Sequence, residues 1–415
     1  MRRAGRELLS LALIDARNRT LRWLSAFNGA RVEDLRSEFD PPLWLVGHVA
    51  WFQECAIARN LRRAQGAAAA TATLASIEPR ADAWFDPTLG NREQRWRHTD
   101  VADAHLRDYL AATLDATLEL LEHAPEDDAG LQLFRLVLAR EDWAAEMLAA
   151  LAQAAGLGGP DAPRAQAPAA PAADPGSQIS STRELWPIWP SRVRREPLWF
   201  GAQRVSLGTA HGGFVPDNER WAHDEPVPEF EIDAQPVQWS QYVEFVDDGG
   251  YDEPRWWSQA GWGWLERQQR RAPRYVEQTG RAVLAQRAGQ LQRVASAQAV
   301  AHVSWHEADA WCRWASRRLP TEPEWEIAAT SGVSRGFVWG DVHEWMAGRA
   351  ARWSDEPPMP APAWVGDTSG SALRSLRVTR GGSLMTVPRL KHPKARTFCS
   401  PEHDAAFVGF RSCAL

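Results

Sequence analysis

The sequence predicts a two-domain chain: a four-helix bundle, then a loop-rich α+β domain. Three observations carry this. The chain has 415 residues, beyond the length at which a single core stops growing. Residues 1–157 carry four long stretches of helical apolar periodicity with few β-branched clusters. From 158 to about 180 the chain reads GGPDAPRAQAPAAPAADPGSQ, too poor in large apolar residues to pack, so it is expected to be a linker. Domains are therefore expected over 1–157 and 181–415, joined by 158–180.

The periodic segments lie near 6–28, 42–62, 101–123 and 128–156. In the second, Asp40 can cap and Pro41-Pro42 suit a first turn. The fourth should stop at Gly156-Leu157-Gly158-Gly159-Pro160. Beyond the linker, short runs are separated by Gly, Pro, Asp and Asn, and helices are expected only near 238–248 and 305–317.

The net charge of −6, with no long run of Lys or Arg, gives no electrostatic reason for a nucleic-acid or anionic-membrane partner and favours small molecules. The basic N-terminus reads as an amphipathic helix, since Asp15 and Arg17 interrupt its apolar run. No apolar stretch approaches the roughly 18–20 residues that span a bilayer. Cys55, Cys312, Cys399 and Cys413 are scattered and form no CxxC pair, which fits a reducing cytoplasm. The 23 Trp suit core packing or pockets with an apolar wall and a polar tip.

In the second domain, HVSWHEADAWCRWASRRLPTEPEWEIAA (302–329), GDVHEW (340–345) and RGGSLMTVPRLKHPKARTF…FVGFRSCAL (380–415) resemble the formylglycine-generating enzyme fold, which is C-type-lectin-like. In the first, PPLWLVGHVAWFQE (41–54) resembles the metal-binding helix of DinB-like bundles. The combination resembles the ergothioneine- and selenoneine-forming sulfoxide synthases. That resemblance implies a non-heme iron(II) held by three bundle histidines, and dioxygen used to join a thiol or selenium donor to the imidazole of a trimethylated histidine betaine. Neutral imidazoles and open coordination positions suit such chemistry.

His48 stands at the first ligand position and shares a helix face with Trp51, Phe52 and Cys55. A lone histidine on an apolar face also reads as a hydrogen-bonded core residue. The family's other two ligands form an HxxxH pair, and here Arg140 and Ala144 occupy those positions within LVLAREDWAAEM. Arg140 lies in a stripe with Leu133, Val137, Ala144, Met147 and Leu151. It either points inward, where its charge would replace that of the metal, or reaches out to a surface carboxylate. Asp142 and Glu146 could complete a His-plus-carboxylate set, but they sit roughly 200° around the helix from positions 140 and 144 and read as a solvated face.

His302 and His306 read as a feature of the fold rather than as ligands, with Ser304 capping the helix that follows. The segment after RGGS holds none of the cysteines that formylglycine-generating enzymes use. No tyrosine follows GDVHEW, where the resemblance places a proton donor; the four tyrosines are Tyr109, Tyr242, Tyr251 and Tyr275. Arg389, Lys391, His392, Arg396, Phe398, Asp404 and Phe407 are the expected substrate-binding residues, combining cations, an acid and aromatic walls. Arg380 and Arg411 are expected to fix loops. Two functions follow: an oxygen-dependent enzyme of the ergothioneine or selenoneine type, or a degenerate metal-free member that binds without turnover.

Overall fold

A computed structural model describes residues 1–61, 63, 74–97, 103–158, 186–280, 282–356 and 373–415. Except for Gly158, the expected linker 158–180 lies outside these residues. The chain divides into two compact units. The first comprises Met1–Trp186 with Gly212–Asp217 and Glu356–Trp364, and the second comprises Pro187–His211, Asn218–Asp355 and Val365–Leu415.

The first unit is helical. Its long helices are α1 (Arg6–Ala26), α2 (Pro42–Ala56), α5 (Asp103–Glu122) and α6 (Asp128–Ala154), with short helices α3 (Ala81–Phe85) and α4 (Arg92–Arg95) between α2 and α5. Every residue of α2 from Trp44 to Glu54 is buried. A helix apolar on all sides has to be enclosed by its neighbours, and α2 packs on α1, α3, α5 and α6. Arg17 of α1 ties the long helices together. Its guanidinium donates to Glu141 of α6 at 2.7 Å, to Gln53 of α2 and to the Leu110 carbonyl of α5.

Asp40 does not cap α2. Pro41 takes the cap position with no side-chain bond, and the Asp40 carboxylate instead accepts from Arg95 at 3.0 and 3.1 Å. The other end of the bundle follows the sequence. Gly156 enters the left-handed region at φ 66°, its N–H reaches Gln153 O, and the Leu157 N–H closes on Ala152 O at 2.8 Å.

The second unit is α+β. Two small hairpin-like pairs come first: β1 (Leu198–Phe200) with β4 (Phe230–Ile232), and β2 (Gln203–Leu207) with β3 (His223–Val227). After α7 (Trp239–Asp247) and α8 (Gln259–Gln268), strands β5 (Val276–Gln278), β6 (Val283–Arg287) and β7 (Gln290–Val294) form a meander. Then come α9 (Trp305–Trp314) and α10 (Glu322–Ser331). The main sheet has the order β10 (Arg396–Cys399), β9 (Arg377–Gly381), β8 (His343–Arg349), β11 (Val408–Gly409), antiparallel except for β11 on β8.

Among the described residues this unit has four α-helices where the sequence predicts two. Helix α8 contains Gly261 and Gly263, and α10 carries Pro323 in its first turn, so both read as loop by composition. Their caps form nonetheless, with Ser258 accepting from Gly261 N–H and Thr321 making a reciprocal box with Glu324. Ser304 caps α9 as expected.

Much of the tryptophan is core: Trp239, Trp257, Trp264, Trp305, Trp311, Trp325 and Trp345 are all buried. Charged residues hold the main sheet in place. Arg411 donates to Glu344 and to the carbonyls of Asp233 (2.8 Å) and Val338 (2.7 Å), and Trp325 Nε1 donates to the same Glu344 at 2.9 Å. Arg380 donates to Glu322 and Glu326 and to the Pro393 carbonyl. Among the described residues no helix is long and apolar enough to cross a membrane.

Candidate functional site

His48 sits mid-way along the enclosed helix α2, only 2% exposed. Both ring nitrogens are committed. Nδ1 lies 2.9 Å from the Phe85 carbonyl at the end of α3. A carbonyl can only accept, so the proton is on Nδ1 and Nε2 carries the lone pair. Nη2 of Arg140 lies 2.9 Å from that Nε2 and donates to it. Arg140 therefore turns into the bundle, the inward of the two orientations left open by the sequence.

Aromatic rings enclose the pair. Trp44 stacks on His48 at 4.8 Å with 7° between the planes, and Trp51 follows at 5.6 Å. The Arg140 guanidinium lies 5.1 Å from the Trp143 ring and 5.7 Å from Phe52, while Arg95 covers Trp44 at 4.0 Å. Burial, and then the Arg140 charge, hold the His48 pKa down at about 3, so the imidazole is neutral at physiological pH. Burial also lowers Arg140, to about 10, and it remains a cation.

Iron(II) does not fit these residues. The His48 lone pair that would bind the metal is occupied by a cation, and Ala144 offers no donor. Asp142 and Glu146 do not rescue the site: among the described residues no three His, Cys, Asp or Glu side chains converge as a metal site. Nor do they form the solvated face that the sequence suggests. Asp142 is buried and Glu146 half-buried, because α6 is enclosed along most of its surface, Glu141 being held by Arg17.

In the second unit, the expected substrate-binding residues take specific partners. Arg396 makes a two-pronged bond to Glu322 at 2.6 and 2.8 Å and lies 3.5 Å from the Trp353 ring and 4.9 Å from Phe398. Lys391 donates to the Gly340 carbonyl at 2.7 Å, and His392 Nδ1 accepts from Lys394 N–H at 3.1 Å. Arg389 is half-buried. Asp404 is buried and gripped by Arg270 and, at 3.0 Å, Arg274. Its carbonyl lies 3.3 Å from His302 Nδ1, and Phe407 packs on the His302 ring at 5.0 Å. The structure thus joins Arg396 to Phe398, and Asp404 to Phe407 through His302.

The tyrosines are also engaged. Tyr109 donates to Glu54 at 2.6 Å, and Tyr251 donates to the buried Glu307 at 2.7 Å with Tyr242 behind it at 3.0 Å. Cys413 is buried and Cys399 half-buried, and all four thiols are unpaired. Phe85, Glu322, Arg270 and Arg274 are not readable as partners from local pattern; each acts across 37 or more positions of chain.

Residues 201–358 match the sulfatase-modifying factor enzyme 1-like domain. Along 98% of its length the chain is 30% identical to the hercynine oxygenase of Mycolicibacterium smegmatis, of which it covers 98%. It is 29% identical to the hercynine oxygenase of Mycobacterium tuberculosis, again over 98% of both chains. A stretch of 10% of the chain is 58% identical to the formylglycine-generating enzyme of Streptomyces coelicolor, covering 14% of that protein.

Proposed function

Because the chain belongs to the hercynine oxygenase family, we propose that it binds a hercynine-related histidine betaine, while the iron position of its DinB-like bundle has become a metal-free hydrogen-bonded cation. One observation carries the reading: the 2.9 Å bond from Arg140 to His48 Nε2. It fills the lone pair a metal would need and places a fixed positive charge where the metal's charge would lie. The neutral, Nδ1-protonated imidazole is then a structural acceptor and not a ligand. Similarity along 98% of the chain supports retention of a small-molecule partner. Arg389, Lys391, His392, Arg396, Phe398, Asp404 and Phe407 are the residues we assign to it. A cytoplasmic setting goes with four unpaired thiols.

A second reading rests on that same full-length likeness: oxygen-dependent joining of a thiol or selenium donor to the betaine imidazole. It requires a metal held by residues other than Arg140 and Ala144. Anaerobic reconstitution with iron(II) separates the two. The unmodified protein is expected to hold no stoichiometric iron, and an Arg140→His, Ala144→His variant to hold it tightly. Stoichiometric iron in the unmodified protein, lost on His48→Ala, would overturn the metal-free reading. Calorimetry with hercynine tests the other half, and absence of saturable binding would refute it.

A further inference from the structure

In the α+β unit, helix α8 and the loop after it border a cavity of about 320 Å³ whose lining includes Tyr251, Asp252, Trp262, Glu266, Arg270 and Arg271. This is the size range of sites for small molecules. None of these residues belongs to the betaine site assigned above. Two of the four charges cancel, since Arg271 pairs with Asp252 and also donates to the Tyr251 carbonyl at 3.1 Å.

The other two retain capacity. Arg270 uses Nη1 on Asp404 and lies 5.6 Å from the Trp264 ring, while its Nε and Nη2 make no hydrogen bond among the described residues. The Glu266 carboxylate accepts one N–H, from Trp262 Nε1 at 2.9 Å, and has no cationic partner among the described residues. The cavity therefore offers a guanidinium edge, a carboxylate and an indole wall.

We infer that this cavity binds a small zwitterion, its carboxylate on the free edge of Arg270 and its ammonium on Glu266 against Trp262. The chemistry matches at each end. A guanidinium presents paired donors to a carboxylate, and an ammonium is attracted both by a carboxylate and by an indole. The site is also held in place before any ligand arrives. Asp404, which anchors Arg270, is 3% exposed and is gripped at 3.0 Å by Arg274 as well. Tyr251, a lining residue, is fixed through its buried hydroxyl to Glu307 at 2.7 Å. Ligand binding then orders few side chains, which keeps its entropic cost low. This inference rests on the cavity and its lining, independently of His48 and Arg140.

Calorimetric titration of the full chain with L-histidine and glycine betaine as zwitterions, choline as cation alone and acetate as anion alone tests it. The zwitterions are expected to bind at least about tenfold more tightly than either half-ligand, the effect of adding one charge-assisted contact. Arg270→Lys keeps a cation on Asp404 but loses the second donor edge, and Glu266→Gln keeps an acceptor for Trp262 but loses the charge. Each is expected to weaken zwitterion binding about tenfold with an unchanged Tm. Choline binding as well as betaine, no saturable binding of either zwitterion, or full binding by both variants would overturn the inference. Hercynine, L-histidine and glycine betaine binding that all survive both substitutions would leave the betaine-binding proposal standing and refute this one.

Discussion

Replacing Arg140 with Met and His48 with Phe, singly and together, measures the contact on which the metal-free reading depends. Burial lowers the Arg140 pKa from 12.5 to about 10. At roughly 1.4 kcal/mol per unit this is a penalty of about 3 kcal/mol on the charged form. Arg140 is only half-buried, and solvent screening reduces the figure to about 1–2 kcal/mol. Arg140→Met recovers that penalty but leaves the buried His48 Nε2 without a donor, at a cost of about 1–3 kcal/mol. The single change should therefore fall within about 1 kcal/mol of the parent. His48→Phe removes both the Arg140 acceptor and the Phe85 bond, and about 2–3 kcal/mol of destabilisation is expected. With both partners apolar only the Phe85 carbonyl is left without its donor, a cost already counted in His48→Phe, so the double variant should be less destabilised than the sum of the singles by about 1–2 kcal/mol. Urea unfolding followed by circular dichroism gives the three differences. Additivity within about 0.5 kcal/mol would refute the argument, because it would mean that the two side chains do not depend on each other.

Three further outcomes follow from the geometry. A Cβ on Gly47 would lie 2.1 Å from the Phe85 ring, so Gly47→Ala should displace the segment whose carbonyl holds His48 and cost about 1–3 kcal/mol, read as a fall in Tm; an unchanged Tm would contradict it. Arg411→Met strands the fully buried Glu344 and should cost about 3–5 kcal/mol, whereas an exposed pair such as Arg97–Glu93 should cost under about 1 kcal/mol; equal effects would refute the ranking. Stability should also fall as pH drops from 6.5 to 4.5. Burial first, with Arg140, Arg287 and Arg377 respectively next, holds His48 at about 3 and His302 and His306 at about 4. These groups take up protons only on unfolding. Glu307, raised to about 7 by burial and Asp404, works the other way, taking up its proton in the folded state. In each unit one net proton then favours unfolding, a slope of about 1.4 kcal/mol per pH unit; a flat Tm profile across this window would rule it out.

The helical unit was legible because its apolar periodicity is long, and because α6 ends where a glycine permits the left-handed turn. The sequence misled at residues whose environment is set by distant chain. Asp40 looks like a cap until Arg95 claims it, and Asp142 looks solvated until the other helices enclose α6. In the second unit, local composition hid α8 and α10 behind Gly and Pro, although the Ser258 and Thr321 caps were readable at their starts. The site residues were legible as chemical types but not as pairs. Arg396 could be marked as a cation, yet its Glu322 partner lies 74 positions away.

On the reading proposed above, the two positions that stand where the resemblance implies metal ligands are not equivalent. Ala144 merely lacks a donor, whereas Arg140 opposes a metal actively. A divalent ion on His48 Nε2 would need the space that Arg140 Nη2 holds 2.9 Å away; with the guanidinium pushed back to roughly 5 Å, their repulsion at an effective dielectric of about 20 would still be about 7 kcal/mol. That corresponds to a loss of roughly 10⁵ in affinity, more than a single added imidazole would recover. Ala144→His alone should therefore bind no iron. Arg140→Ala alone, which removes the repulsion but leaves His48 as the one histidine of the three, should bind it weakly, and only the double histidine variant should bind it tightly. If Ala144→His alone restored tight binding, the cation beside His48 would not be what keeps the metal out.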